Sequence, residues 1–147
     1  MNKDHLVQQD YLVKADKLFL ALLWLLFVVA LGLTQLHDTL MLALLVGLPT
    51  ALIPTIFIFI KPGALITRML VAVALMVFSA LHIHQAGGMT ELHFGIFALL
   101  AFLLCYQDWR VIIAAAVTAA IHHLSFNYLQ EWGYGVMCFT KPGFGIV

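Results

Sequence analysis

Charge is what this sequence has least of: 10% of its 147 residues are Asp, Glu, Lys or Arg, against 64% that are hydrophobic. Soluble domains carry roughly one quarter charged residues, and a water-soluble fold of this size cannot hide so much apolar surface. An ordinary soluble domain is therefore excluded. Seven basic residues balance seven acidic ones, so no basic patch offers nucleic acid an electrostatic footing. Two cysteines, Cys105 and Cys138, are too few for a disulfide framework.

What remains is a series of apolar runs near the roughly 20 residues needed to cross hydrocarbon. They read as spans over about 18–36, 39–60, 64–84, 92–106 and 111–129, after an amino-terminal segment 1–17 that carries Lys3, Asp4, Asp10, Lys14, Asp16 and Lys17. The first run is too long for a cleavable signal and lacks a small-residue cleavage site, so it is expected to stay. Pro49 and Pro54 predict a kink in the second span, tolerated because membrane neighbours re-satisfy the freed carbonyls. Lys61-Pro62-Gly63, Gln85 to Gly88 and Gln107 to Arg110 read as turns. Arg68, close to the start of the third span, is expected to snorkel outward. The segment 130–147 reads as an outer loop and the start of a further helix. The fold class is thus all-α: a polytopic transmembrane helix bundle of about five spans, a sixth being expected beyond them.

Lys3, Lys14, Lys17, Lys61, Arg68 and Arg110 fall on one side of these spans and Lys141 on the other. The positive-inside bias predicts a cytoplasmic amino terminus. His37, His82, His84, His93, His122 and His123 then share the outer half, and only His5 lies inside. Met89, Glu91, Met137 and Cys138 are expected on that same outer side, Cys105 on the opposite one.

Ionisable side chains inside a membrane usually face a bundle interior or a cavity, and imidazole is the commonest metal ligand and a frequent axial ligand of haem iron. Five histidines from three helices at one depth, His82, His84, His93, His122 and His123, therefore form the candidate metal set. Helical geometry limits it. His82 and His84 lie about 200° apart around a regular helix and His122 and His123 about 100°, so one of each pair would join His93. Glu91, Gln85 and Asn127 are candidates for an additional ligand or for fixing a tautomer. Three nitrogens and one more donor suit copper or zinc, whereas two histidines on facing helices would suit haem b. Asn127 and Gln130 read more simply as helix-to-helix hydrogen bonds, Asp108 and Arg110 as anchors of a turn, and Ala114, Ala115, Ala116, Ala119 and Ala120 as a packing face. Ser79 and Ser125 lack a base and an orienting group, so no catalysis is expected.

From Leu81 to Gly135 the string LHIHQAGGMTELHFGIFALLAFLLCYQDWRVIIAAAVTAAIHHLSFNYLQEWGYG closely resembles the amino-terminal membrane input region of certain bacterial methyl-accepting chemotaxis proteins. Similar regions precede diguanylate cyclase domains. His82, His84 and Gln85, then Glu91 to Gly95, then Asp108, Trp109 and Arg110, then His122, His123 and Asn127 carry the likeness. It implies a six-helix sensory module in the bacterial inner membrane, a homodimer surrounded by lipid, feeding a cytoplasmic signalling domain. The chain departs from that pattern in lacking the sixth helix and the signalling domain, and in placing Val111 where a proline would follow the Asp-Trp-Arg corner. The expectation is a sensor of metal ion or haem and not an enzyme. A metal-ion transporter or channel and a passive membrane anchor are the competing readings.

Overall fold

The computed structural model describes residues 3–140; Lys141 and the expected start of a sixth helix at Ile146 and Val147 lie outside the described residues. Those residues form an all-α bundle: α1 Lys3–His37, α2 Leu40–Ile60, α3 Leu65–Gln85, α4 Thr90–Tyr106 and α5 Trp109–Glu131. No strand occurs among the described residues. Four of the helices are long and apolar enough to cross a membrane, and α4 is shorter.

α3 is the axis of the bundle and packs against each of the other four helices. Two thirds of its most apolar window is buried (67%), against 17–28% in the other three long helices. The outer helices bury one stripe each. On α1 the buried positions Leu12, Ala15, Phe19, Leu23, Phe27, Ala30 and Thr34 recur every three or four residues, while Leu18, Leu25, Val28 and Leu36 on other faces are exposed. That is the helical period of a one-faced packing surface whose remaining sides are as apolar as lipid. Between the ends the shared core contains Leu23, Val71, Leu75, Phe78 and Leu99, with Ser79 a buried polar side chain beside them.

α1 starts well before the expected first span and runs 35 residues, about 52 Å at 1.5 Å per residue, longer than the roughly 30 Å of hydrocarbon. The expected irregularity in the second span takes the form of a π-helical turn over Ala43–Gly47, just before Pro49, with Pro54 accommodated inside the following helix. A π-turn is a recognised way of absorbing such a mismatch.

Polar locks close the end that holds the first residues of α1. Asp16 is fully buried and accepts from the Gly63 backbone N–H and, at 2.7 Å, from the Tyr106 phenol. Gly63 has φ +71, and a Cβ there would come within 2.8 Å of Gln9 Nε2, so the turn requires glycine. Arg68 does not snorkel. It is buried, donates to Asp108 Oδ2 at 2.9 Å and stands 6.0 Å from the centre of the Tyr106 ring, because Asp108 supplies inside the bundle the counter-charge that solvent would otherwise provide. Asp108 in turn caps α5 by accepting from Arg110 N, and its carboxylate also takes Arg110 Nε and Nη2.

Candidate metal centre

The histidines gather at the other end of the bundle. His37 closes α1, His82 and His84 end α3, His93 lies in the first turns of α4, and His122 and His123 lie in the second half of α5. Three donors converge there: one ring nitrogen each from His93 and His123 and the sulfur of Cys138 all lie within 4.8 Å of one another. The ring centres of His93 and His123 are 5.4 Å apart, and Phe139 stacks on His93 at 5.5 Å and meets His123 edge-on at 5.8 Å.

Hydrogen bonding fixes which nitrogens are available. His93 Nδ1 lies 3.1 Å from the Met89 carbonyl and His123 Nδ1 2.8 Å from the Ala119 carbonyl. A carbonyl only accepts, so in both rings Nδ1 carries the proton and Nε2 keeps its lone pair. This is the arrangement found around metal-ligating histidines, whose second nitrogen donates to a carbonyl or carboxylate. His93 Nε2 is buried and has no partner among the described residues, an unusual cost unless something else occupies that lone pair. Burial pushes the Cys138 thiol up to about 11, so without a cation the sulfur is a protonated thiol.

The segment bearing Cys138 is held by two independent devices. Gln130 on α5 accepts the backbone N–H of Cys138 at 3.0 Å and of Phe139 at 3.1 Å, and donates to the Phe139 carbonyl at 2.6 Å. Across from it, Gly88 lies against the Phe139 backbone. A Cβ on Gly88 would fall 2.6 Å from the Phe139 carbonyl carbon, and its φ of +79 already favours glycine. The Gly87-Gly88 break after α3 thus makes room for the strand of backbone that delivers the thiol.

The other expected ligands take different places. His84 Nδ1 accepts the Met137 backbone N–H at 2.9 Å, so it anchors the same segment. His122 adjoins His123, ring centres 5.2 Å apart, and its Nε2 is buried without a partner among the described residues. His82 turns away to donate from Nε2 to the Leu26 carbonyl of α1 at 3.1 Å. Gln85 is fully buried and donates to the Ala30 carbonyl and to Thr39 Oγ1, both at 3.0 Å, while His37 Nδ1 donates to the Gln85 carbonyl at 2.8 Å. Glu91 is exposed in the first turn of α4, outside the three-donor cluster, and Asn127 is buried on α5. Cys138 and Gln130 are the functional candidates that periodicity does not reveal, because both depend on how the segment after α5 folds back. Compared with known proteins, the chain matches no family model, no curated protein and no solved structure.

Proposed function

We propose that this chain is a membrane-embedded sensory input module that binds a copper or zinc ion through His93 Nε2, His123 Nε2 and the Cys138 thiolate. The observation that carries the reading is the pair of imidazoles with Nδ1 committed to carbonyls, which leaves Nε2 as the donor, and with one nitrogen of each within 4.8 Å of a thiol. Imidazole and thiolate together suit copper or zinc rather than magnesium or calcium. An ion held at about 2.0–2.3 Å from each donor would draw them closer than they now stand. Phe139 against both rings takes the space a porphyrin would need, which favours a single ion over haem b.

Sensing follows from where the thiol is attached. Pulling Cys138 toward the histidines acts on His84 and Gly88 at the end of α3, the helix on which the others pack. A ligand with different affinity for two packings of α3 shifts their populations. In this reading a homodimer in the bacterial inner membrane, amino terminus inside, passes the shift to a chemoreceptor-type signalling domain, as the resemblance implies. Transport is disfavoured because Leu23, Val71, Leu75 and Phe78 fill the core between the two polar ends and Ser79 is a single hydroxyl among them, no continuous polar path.

The test is metal titration of the protein in mild detergent, followed by elemental analysis. One equivalent of copper or zinc is expected, lost together in His93→Ala, His123→Ala and Cys138→Ser. Full stoichiometry in all three variants, or a Soret band on addition of haem, would overturn the assignment.

A further inference from the structure

α2 and α5 both pack on α3 and leave a gap between them at the histidine end, a cavity of about 300 Å³. Its walls include Val46 of α2, Ala80 and His84 of α3, and His122 and Phe126 of α5, with Val136 from the segment after α5. From Met76 to His84 it follows α3 for about 12 Å at 1.5 Å per residue. The wall is almost wholly apolar. Thr118 is the one hydroxyl on it, and that hydroxyl is used by the Ala114 carbonyl at 2.8 Å.

Two imidazoles stand at its polar end. His84 Nδ1 accepts the Met137 N–H, so the neutral ring carries its proton on Nε2 as a donor. His122 Nε2 is buried and unpartnered among the described residues, beside the Phe126 ring at a centroid distance of 4.2 Å. An apolar site of a few hundred cubic ångströms with a few convergent polar groups is the ordinary form of a small-molecule site. Here the walls belong mostly to helices long enough to span a membrane, which suits a lipophilic ligand.

We infer that this cavity binds a membrane-soluble quinone-type compound: a flat apolar ring with one oxygen that accepts from His84 Nε2–H and another that accepts from the His122 tautomer protonated on Nε2. A phospholipid tail would fill the apolar part and leave both imidazoles unanswered. A polar solute would answer the imidazoles and waste the walls. The Phe126 ring beside His122 offers the planar ligand a face on which to stack. The site shares no ligand with the three-donor cluster, which it adjoins through His122 and the His84–Met137 bond, and the inference stands whether or not an ion binds there.

The test uses the full chain in phosphatidylcholine nanodiscs, stripped of metal, with ubiquinone-1 as ligand, dodecanoic acid as competitor and an azidoquinone as photolabel. Saturable binding of one ubiquinone per chain is expected, with the label on peptides containing Phe126 or Val136. Ala80→Phe, which fills the cavity, should weaken binding at least tenfold; Val46→Phe serves from the opposite wall if that variant does not fold. His84→Phe should also lose at least tenfold, while Phe94→Ala, on the exposed face of α4, binds the quinone as the parent does. Non-saturable partitioning, unchanged affinity in both cavity-filling variants, or displacement by dodecanoic acid with His84→Phe unaffected would overturn the inference, the last identifying an acyl-chain groove.

Discussion

The Tyr106 phenol donates to Asp16 Oδ1 at 2.7 Å across 90 positions of sequence, inside a bundle end where Asp16 is fully buried. One carboxylate there joins α1 to the end of α4 and, through Gly63 N, to the turn before α3. Tyr106 is also stacked on Phe19 at 4.6 Å, so its ring position survives loss of the hydroxyl. Tyr106→Phe should therefore cost about 1–3 kcal/mol, the range for leaving a buried acceptor short of a partner. Thermal unfolding in detergent checks it, and an unchanged midpoint would mean that water replaces the phenol. Asp16→Ala, which orphans both Tyr106 and Gly63 N, should lower the midpoint further.

Asp108 is where pH should act on the same end of the bundle. Hydrogen bonds from Arg110 first, its burial opposing them, and then the nearby guanidinium charges hold its carboxyl at about 2. Its unfolded value is near 3.9. Folded below unfolded means that the contribution is complete above about pH 4 and is lost as pH falls toward about 2. Unfolding midpoints measured from pH 6 to pH 2 should show a decline in the parent chain that is smaller in Asp108→Asn. Parallel curves would show that the ion pairs with Arg68 and Arg110 contribute nothing net.

The two ends of the bundle differ in how far they can be read from sequence. Apolar runs of span length set the all-α bundle and its turns, because hydropathy and turn residues act locally. The order of spans and turns likewise places His93 and His123 toward one end of the bundle. Arg68 was not legible: snorkelling and internal pairing look alike until Asp108 is seen to approach from another turn. Nor was the fate of His82, whose Nε2 is taken by the Leu26 carbonyl of α1 and not by the cluster. Cys138 escapes periodicity altogether, because it lies after the last helix and is brought back by Gln130 and Gly88.

In the proposed metal site Gln130 positions Cys138 without being a ligand itself, as outer partners of metal sites commonly do. Removing such a partner typically costs 10–100-fold in metal affinity. Gln130→Leu frees two backbone N–H groups and one carbonyl of the Cys138–Phe139 segment, so copper or zinc affinity should fall within that range while the helical circular dichroism stays constant. Gly88→Ala should do the same by pushing on the Phe139 backbone. Parent affinity in both variants would mean that the segment finds its place without either restraint.

His82 and His93 provide the sharpest contrast, since both are histidines near the same bundle end and only one belongs to the cluster. His82 is buried, with Nε2 on the Leu26 carbonyl and its ring 6.0 Å from that of Phe78. It is a joint between α3 and α1. His82→Leu removes one hydrogen bond and leaves the carbonyl of Leu26 within its own helix, so a loss of about 1–2 kcal/mol is expected, with metal stoichiometry intact. His93→Ala removes a ligand from a partly buried ring whose Nδ1 serves only its own helix, so it should abolish metal binding with little change in unfolding temperature. The two measurements, unfolding midpoint and bound metal, should move in opposite patterns for the two variants. If His82→Leu loses the metal and His93→Ala retains it, the ion sits between α1 and α3, and the assigned cluster is wrong.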